Sequence, residues 1–429
     1  MSLRQQTTFI DAIRANAKRP LIFAADVLSQ PHRELYLKSD PYAHTKCNRA
    51  LGMSEEIDAV LLVAPVNEDY LAWLRSNNLA PKVVFSFNLE KTEKSLGELI
   101  LENPDTVKAA LGDILSQKPV YVPHYSSKTD LRVAELLGAE LFGSDEDVAM
   151  KYFDKKSFKE ELQSLGITTV GGVTHGLQGS LPNPGELAEI MEKLLHSYPS
   201  LMVRGARGSS GSSAYQVDGE KVHEVIETLQ ANRDEEILIE PFLSVIASPN
   251  DQWIIDLNGD IHHVGLSAQL FEELKHVGNI QGQLFSKRVS EEIYETSRKI
   301  VTRMKEEGYQ GLLGIDYIVT DQGIFAIENN ARMNGSSYAF GVVDRLSRTF
   351  DTELCWKFFK AHSPVNSFDE LTQLLKPILY DGKSTNCVFP FDCDRLSATG
   401  IFAPILIAED TYHLHYLEQT LDALNIQKV

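Results

Sequence analysis

A chain of 429 residues and 48.0 kDa is too long for one ordinary hydrophobic core and predicts roughly two to four domains. With 43% apolar and 24% charged residues it is neither a disordered nor a fibrous composition. Forty-one Lys plus Arg against sixty Asp plus Glu give a net charge of −19, which would repel a nucleic-acid backbone, so an anionic ligand needs a locally basic pocket.

The apolar runs at 59–66 and 401–408 are strand-sized, well short of the roughly 20 residues that span a bilayer, so no membrane role is expected. The opening segment mixes Arg, Gln, Asp and Lys where an export signal would be apolar, and a cytoplasmic protein is expected. Cys47, Cys355, Cys387 and Cys393 form no Cys-x-x-Cys pair and read as reduced packing residues.

From residue 21 to 143, short apolar runs at 21–25, 59–64, 83–87, 120–122 and 139–142 alternate with helical patterns, which predicts βα units on a mostly parallel sheet. No G-x-G-x-x-G follows a strand there, so a dinucleotide is not expected in this domain. Over 155–166, Phe158, Leu162 and Leu165 share a helical face ended by Gly166, which puts Lys155 near a helix start. A second helix opens at 182–185 and a strand follows at 201–204. The run from Gly205 to Ser213, containing Ser209, Ser210, Gly211 and Ser212, then links that strand to another at 214–217.

Residues 237–243 read Ile-Leu-Ile-Glu-Pro-Phe-Leu, and 253–257 with 261–264 flank Asn258-Gly259, a hairpin signal. A helix with Ile293, Ser297, Ile300, Val301 and Met304 on one face ends at Gly308. A second hairpin pairs 315–320 with 323–328; a three-residue turn at 321–323 would set Asp316 opposite Glu328. Residues 350–429 carry further helix-like and strand-like runs.

Strand alternation projects Glu328, Asn330 and Arg332 to one side, where Asp316 joins them. Such hard oxygen donors suit Mg²⁺, which takes a few carboxylates and substrate phosphates. An exposed hairpin with charged ends would look the same locally. The Gly/Ser run could lay backbone N–H groups over phosphates or be a flexible tip. Arg204 and Lys155 are the cations a triphosphate would need, or ordinary solvated charges. Glu240, Phe242 and Leu243 could border an adenine or simply belong to the core. His262, His263, Lys275, His276, Arg288 and Arg345 are further candidates for an anion, each with surface or packing as its commoner fate.

The order of these pieces is more specific than any one of them. A lysine helix, a basic residue on a strand, a glycine-rich loop, Glu-Pro-Phe-Leu, an Asp hairpin and Glu-x-Asn-x-Arg together resemble the ATP-grasp superfamily from about residue 154 to 341. The resemblance implies an α/β and α+β protein. A pre-ATP-grasp open α/β domain (1–150) would precede a two-lobed ATP-grasp fold, with a first lobe bearing the lid loop (151–236) and a second bearing the metal site (237–349). A small C-terminal domain would follow at 350–429.

It further implies ATP contacts at Lys155, Arg204, Ser209, Ser210, Gly211, Ser212, Glu240, Phe242 and Leu243. Mg²⁺ would sit on Asp316, Glu328 and Asn330, with Arg332 as the catalytic arginine. Arg204 stands where many members have lysine. Length and the run from Asn329 to Gly335 look most like the pheganomycin-type peptide ligases. The expected activity is ATP-dependent ligation of a small-molecule or short-peptide carboxylate to an amine through an acyl phosphate, with ADP and phosphate released. A thiol, hydroxyl, ammonia or carboxylation acceptor, and a non-catalytic nucleotide-binding module, remain alternatives. No nucleic-acid or membrane partner is expected, and a homodimer is the default assembly.

Overall fold

The computed structural model describes residues 8–31, 33–176, 183–206, 214–232 and 236–429. The first unit is a parallel sheet of β1 (Leu21–Ala24), β2 (Ala59–Leu62), β3 (Val83–Ser86), β4 (Val120–Pro123) and β5 (Glu140–Leu141), in the order β3-β2-β1-β4-β5. β1, β2 and β4 are buried along their whole length, as parallel strands covered on both faces must be, which is why they read as unbroken apolar runs. Helix α1 (Lys128–Leu137) begins at a Ser127–Asp130 capping box and ends at Gly138, whose φ of 63° suits glycine.

After α2 (Lys155–Ser164) comes an antiparallel sheet, β6-β9-β7-β8, made of β6 (Val173–Gly176), β7 (Leu201–Gly205), β8 (Ala214–Val217) and β9 (Glu236–Pro241). Helices α3 (Pro184–Leu195) and α4 (Val222–Asn232) cover one face; Leu187, Met191, Ile226 and Leu229 pack there against Leu201, Val203, Ile237 and Ile239.

The third sheet has eleven strands. Its first part holds β10 (Val245–Ala247), β11 (Pro249–Ile255), β12 (Ile261–Glu272), β13 (Lys275–Gln281), β14 (Gly311–Thr320) and β15 (Ile324–Asn330), with α5 (Lys287–Glu306) beneath it and α6 (Gly335–Phe350) following. Residues 350–429, expected as a small C-terminal domain, extend the same sheet: β16 (Cys355–Phe359) pairs with β13, and β19 (Ile401–Ala408) pairs with β16. β17 (Ala361–His362), β18 (Cys387–Phe391) and β20 (Gln427–Lys428) complete it, and α7 (Thr411–Ala423) packs alongside β16 and β19. One core cluster joins the parallel sheet, α6 and these last strands. No helix among the described residues is long and apolar enough to cross a membrane.

Candidate functional site

The floor of the site is the β14–β15 hairpin. Leu313, Ile315 and Tyr317 enter the core with Ile300 and Met304 of α5, so the two-residue period turns Gly314 and Asp316 to the opposite face. Asp316 pairs with Glu328, and Gly314 with Asn330. The route to that register differs from the expected three-residue turn. Val319 pairs with Ile324, one residue out of step, and a bulge at Ile327 restores Asp316 to Glu328. Left out of the ladder, the Ile327 carbonyl accepts from Arg204 Nη1 at 3.3 Å.

Asp316 is 7% exposed. Asn250 of β11 donates to its Oδ1 and Asn330 to its Oδ2, the latter at 3.0 Å. Burial, then the neighbouring Glu328 carboxylate, push the Asp316 carboxyl up to about 7 against the pull of these hydrogen bonds. Glu328 meets Lys155 Nζ at 3.3 Å. Behind Asp316, Gln252 Nε2 bonds Asn250 Oδ1 at 2.7 Å, Asn334 Oδ1 at 3.1 Å and Ser336 Oγ at 3.1 Å. Gly314 leaves room for these amides; a Cβ there would overlap Gln252 and Asn334.

No group of three or more His, Cys, Asp and Glu that could hold a metal occurs among the described residues. Asp316, Glu328 and Asn330 supply two carboxylates and an amide, a set that fits Mg²⁺ completed by substrate phosphates. Two carboxylates that repel across a buried gap are the arrangement a divalent cation relieves.

The basic wall comes from the first lobe. Asp154 caps α2 by accepting from Ser157 N at 3.0 Å, and four-residue spacing puts buried Lys155 and Lys159 on one face. On β7, Leu201 and Val203 face the core while Met202 and Arg204 face the cavity. Glu240 of β9, 4% exposed, accepts from Lys159 Nζ at 2.7 Å and from Arg204 Nη2 at 2.6 Å. Burial alone would raise the Glu240 carboxyl, but Arg204 and Lys159 outweigh it and hold it below the usual carboxylate range. The Glu240 side chain thus fixes two cations. The Phe242 N–H is taken by the Ser200 carbonyl at 3.0 Å.

Arg332 donates through Nη1 to the Met333 carbonyl at 2.9 Å, and its guanidinium lies 5.5 Å from the Phe153 ring centre. Arg204 and Arg332 each carry a buried Nε–H without a hydrogen-bond partner among the described residues.

A single cavity of about 840 Å³ is lined by Arg204, Glu240, Phe242, Leu243, Asp316, Glu328, Asn330 and Arg332. Lys155 adjoins it through Glu328. Ser209, Ser210, Gly211 and Ser212 lie outside the described residues. Of the further anion candidates, Lys275 and His276 line this cavity. His262 pairs with Asp256 at 2.8 Å and His263 with Asp251 at 2.7 Å; Arg288 is exposed, and Arg345 donates to the carbonyls of Ser54, Asn78 and Leu79. Sequence reading missed Lys159, whose signal was its four-residue spacing from Lys155. It also missed Asn250 and Gln252, which only the β11–β14 register brings to Asp316.

Residues 184–330 match the model of a family described as L-aspartate–L-methionine ligase, ATP grasp. No curated protein matches by sequence. Among solved structures, the chain is similar to a biotin carboxylase from Campylobacter jejuni complexed with β,γ-ATP, at 14% identity and TM-score 0.62 over 96% of this chain and 92% of that one. The biotin carboxylase domain of the Hydrogenobacter thermophilus 2-oxoglutarate carboxylase, in complex with MgADP, ADP and bicarbonate, matches at 15% identity and TM-score 0.59 over 96% and 91%. An N5-carboxyaminoimidazole synthase from Aspergillus clavatus, in complex with ADP and its ribonucleotide, matches at 12% identity and TM-score 0.56 over 96% and 99%. At such identities the likeness shows the fold alone, an ATP-grasp fold, and the family match covers the stretch that brings Arg204, Glu240, Asp316 and Glu328 to the cavity.

Proposed function

We propose that the protein is an ATP-dependent carboxylate–amine ligase that joins amino acids or a short peptide through an acyl phosphate and releases ADP and phosphate. The observation that carries this reading is the convergence, on one cavity, of Arg204 fixed by Glu240, two facing carboxylates and the Arg332 guanidinium. The matching family's description, which names two amino acids, favours amino acids as both reactants.

In this reading Phe242 and Leu243 border the adenine. Lys155, Arg204 and the Gly/Ser run from Gly205 to Ser213 hold the triphosphate, and Arg204 is aimed by Glu240 and by the Ile327 carbonyl. Asp316, Glu328 and Asn330 would hold Mg²⁺, which when bound neutralises charge on the terminal phosphates. Arg332, fixed against Met333 and Phe153, meets the charge that develops on the reacting carboxyl. Lys155 exchanges Glu328 for phosphate oxygens when nucleotide enters.

The test is product analysis with a panel of amino acids and dipeptides. ADP and phosphate should appear, and hydroxylamine should trap the activated acid as a hydroxamate when the amine is withheld. Labelled carboxylate oxygen should pass into phosphate; AMP as the stoichiometric product would overturn the mechanism. Glu328→Ala should remove most of the magnesium-dependent thermal stabilisation by ATP, and an equal shift in wild type and variant would sink the metal assignment.

A further inference from the structure

His124 lines the same cavity and has no part in the nucleotide or metal reading. It follows β4, and its N–H donates to the carbonyl of Ala24, the last residue of β1, at 3.1 Å. β2 and β3 lie to one side of β1, and β4 and β5 to the other, so this bond spans the gap where the parallel sheet reverses its order. In open α/β sheets the crevice outside the strand carboxyl ends at such a gap receives a ligand. Val27 and Gln30, beyond the end of β1, line the cavity as well.

This crevice is tied to Arg332. The Met333 N–H donates to the His124 carbonyl at 3.0 Å, and the Met333 carbonyl accepts from Arg332 Nη1 at 2.9 Å. One residue thus joins His124 to the guanidinium that the ligase reading assigns to the reacting carboxyl. The ring is fixed too. Nδ1 lies 2.9 Å from Tyr338 Oη, in the first turn of α6, which an Asn334–Ser337 capping box locks. Burial pushes the Tyr338 phenol up, so it stays neutral. Nε2 is the ring nitrogen left for the cavity, and it has no hydrogen-bond partner among the described residues.

Burial, then Arg332, Arg49 and Lys46, hold the His124 imidazole well below its ordinary value, so at neutral pH it is unprotonated. Arg49 and Lys46 come from the 3-10 segment Ala43–Ala50. Rival proton acceptors at the wall are engaged. Glu240 holds two cations, Asp392 accepts from Arg49 Nη2 at 2.6 Å, and Lys46 Nζ meets Asp40 at 2.7 Å. The other imidazole, His276, is bonded through Nε2 to Asn279 of its own strand at 2.9 Å.

We propose that His124 is the general base of the ligation step, with Nδ1–H given to Tyr338 as its positioning residue and Nε2 taking the proton that the amine sheds. The proposal rests on the ligase reading. The cations that disfavour an imidazolium also disfavour an ammonium beside them, so the amine enters neutral, its first proton left in solvent. Its nitrogen lone pair forms the C–N bond while the C–O bond to phosphate breaks, the electron pair leaving on the phosphate oxygen. One N–H proton passes to Nε2, and the imidazolium returns it to the departing phosphate. Amide and hydrogen phosphate result, and the ring is neutral again. Phosphate charge seated on Arg332 offsets one of the three cations, which makes Nε2 a better base when the acyl phosphate is in place.

The test compares two assays of the full chain with Mg²⁺ and ATP. One measures amide formation from an acid and an amine of the amino-acid panel; the other measures hydroxamate from the same acid with hydroxylamine in place of the amine. Hydroxylamine is already unprotonated near neutral pH and attacks acyl phosphates without a protein base. His124→Asn keeps an amide donor for Tyr338, and His124→Gln sets one toward the cavity; neither takes a proton. In both, amide formation should fall on the order of 10²–10⁴-fold while hydroxamate stays within about threefold of wild type. Tyr338→Phe, which keeps the ring and loses the anchor, should show the same split with a smaller loss.

Amide formation near the wild-type rate in either His124 variant, or hydroxamate falling in step with amide in both, would overturn the proposal. Equal slowing of the two assays in Tyr338→Phe would overturn the positioning role. The two readings fail separately. A wild type that yields neither ADP nor hydroxamate from any acid removes the ligase and the base with it, whereas a wild type that makes both products beside unimpaired His124 variants removes the base alone.

Discussion

Arg332 is held by its own neighbourhood: its N–H bonds the Asn330 carbonyl at 2.7 Å, its Nη1 the Met333 carbonyl, and Phe153 backs its guanidinium. None of these partners needs the positive charge to fold, so Arg332→Ala should leave the thermal midpoint nearly unchanged. Turnover should fall by on the order of 10²–10³, the effect of removing one oxyanion donor. Steady-state ADP release checks this, and near-normal turnover would remove Arg332 from the mechanism. Sequence alone named the residues that reach the cavity from a single strand or loop, because two-residue alternation and local order are legible there. Their partners were not. Asn250 meets Asp316 across 66 residues of chain, and His124 meets Met333 only when the first unit folds onto the loop after β15.

At the scale of elements, β14 shows how one glycine shapes a site. Gly314 sits between Gln252 and Asn330 in register and has no unusual φ; what it supplies is space for the amides that hold Asn250 against Asp316. Gly314→Ala should cost about 1–3 kcal/mol by overpacking and weaken magnesium-dependent ATP binding together. A variant with reduced stability but unchanged magnesium dependence would show that the amide network does not position Asp316. Helix α1 gives a pH prediction. Asp130 accepts from Tyr121 Oη at 3.0 Å and from Ser127, yet burial dominates and pushes its carboxyl up to about 7. Between the unfolded value of about 3.9 and about 7 the folded chain binds a proton that the unfolded chain does not. Stability from this group is therefore present at low pH and lost as pH rises through about 7. Asp40, held to about 2 with Lys46 and Arg395 outweighing its burial, has finished titrating in that window. Thermal midpoints from pH 5 to 8 should fall less steeply in Asp130→Asn than in wild type. The slope should shrink without vanishing, because Asp26 and Asp394 are displaced the same way.

For the whole molecule, the decisive feature is that the last strands share a sheet with the β14–β15 hairpin and a core with the first unit. β16 closes the β13 edge, and Trp73 of the helix Glu68–Ser76 packs its ring against Phe368, Tyr380 and Phe389 at 6.0, 6.4 and 5.4 Å. A chain of this length commonly unfolds in steps. Here separate melting would expose both an eleven-stranded sheet cut in two and one face of the largest apolar cluster. Trp73→Ala should therefore cost about 3 kcal/mol, near the low end for truncating a large aromatic because Trp73 is half-buried. It should move the whole transition rather than the first 150 residues alone. In urea, far-ultraviolet circular dichroism and the fluorescence of the remaining Trp253 and Trp356 should share one midpoint and shift together. Two separated midpoints in the variant would show that the N-terminal unit and the sheet it packs on are stable independently.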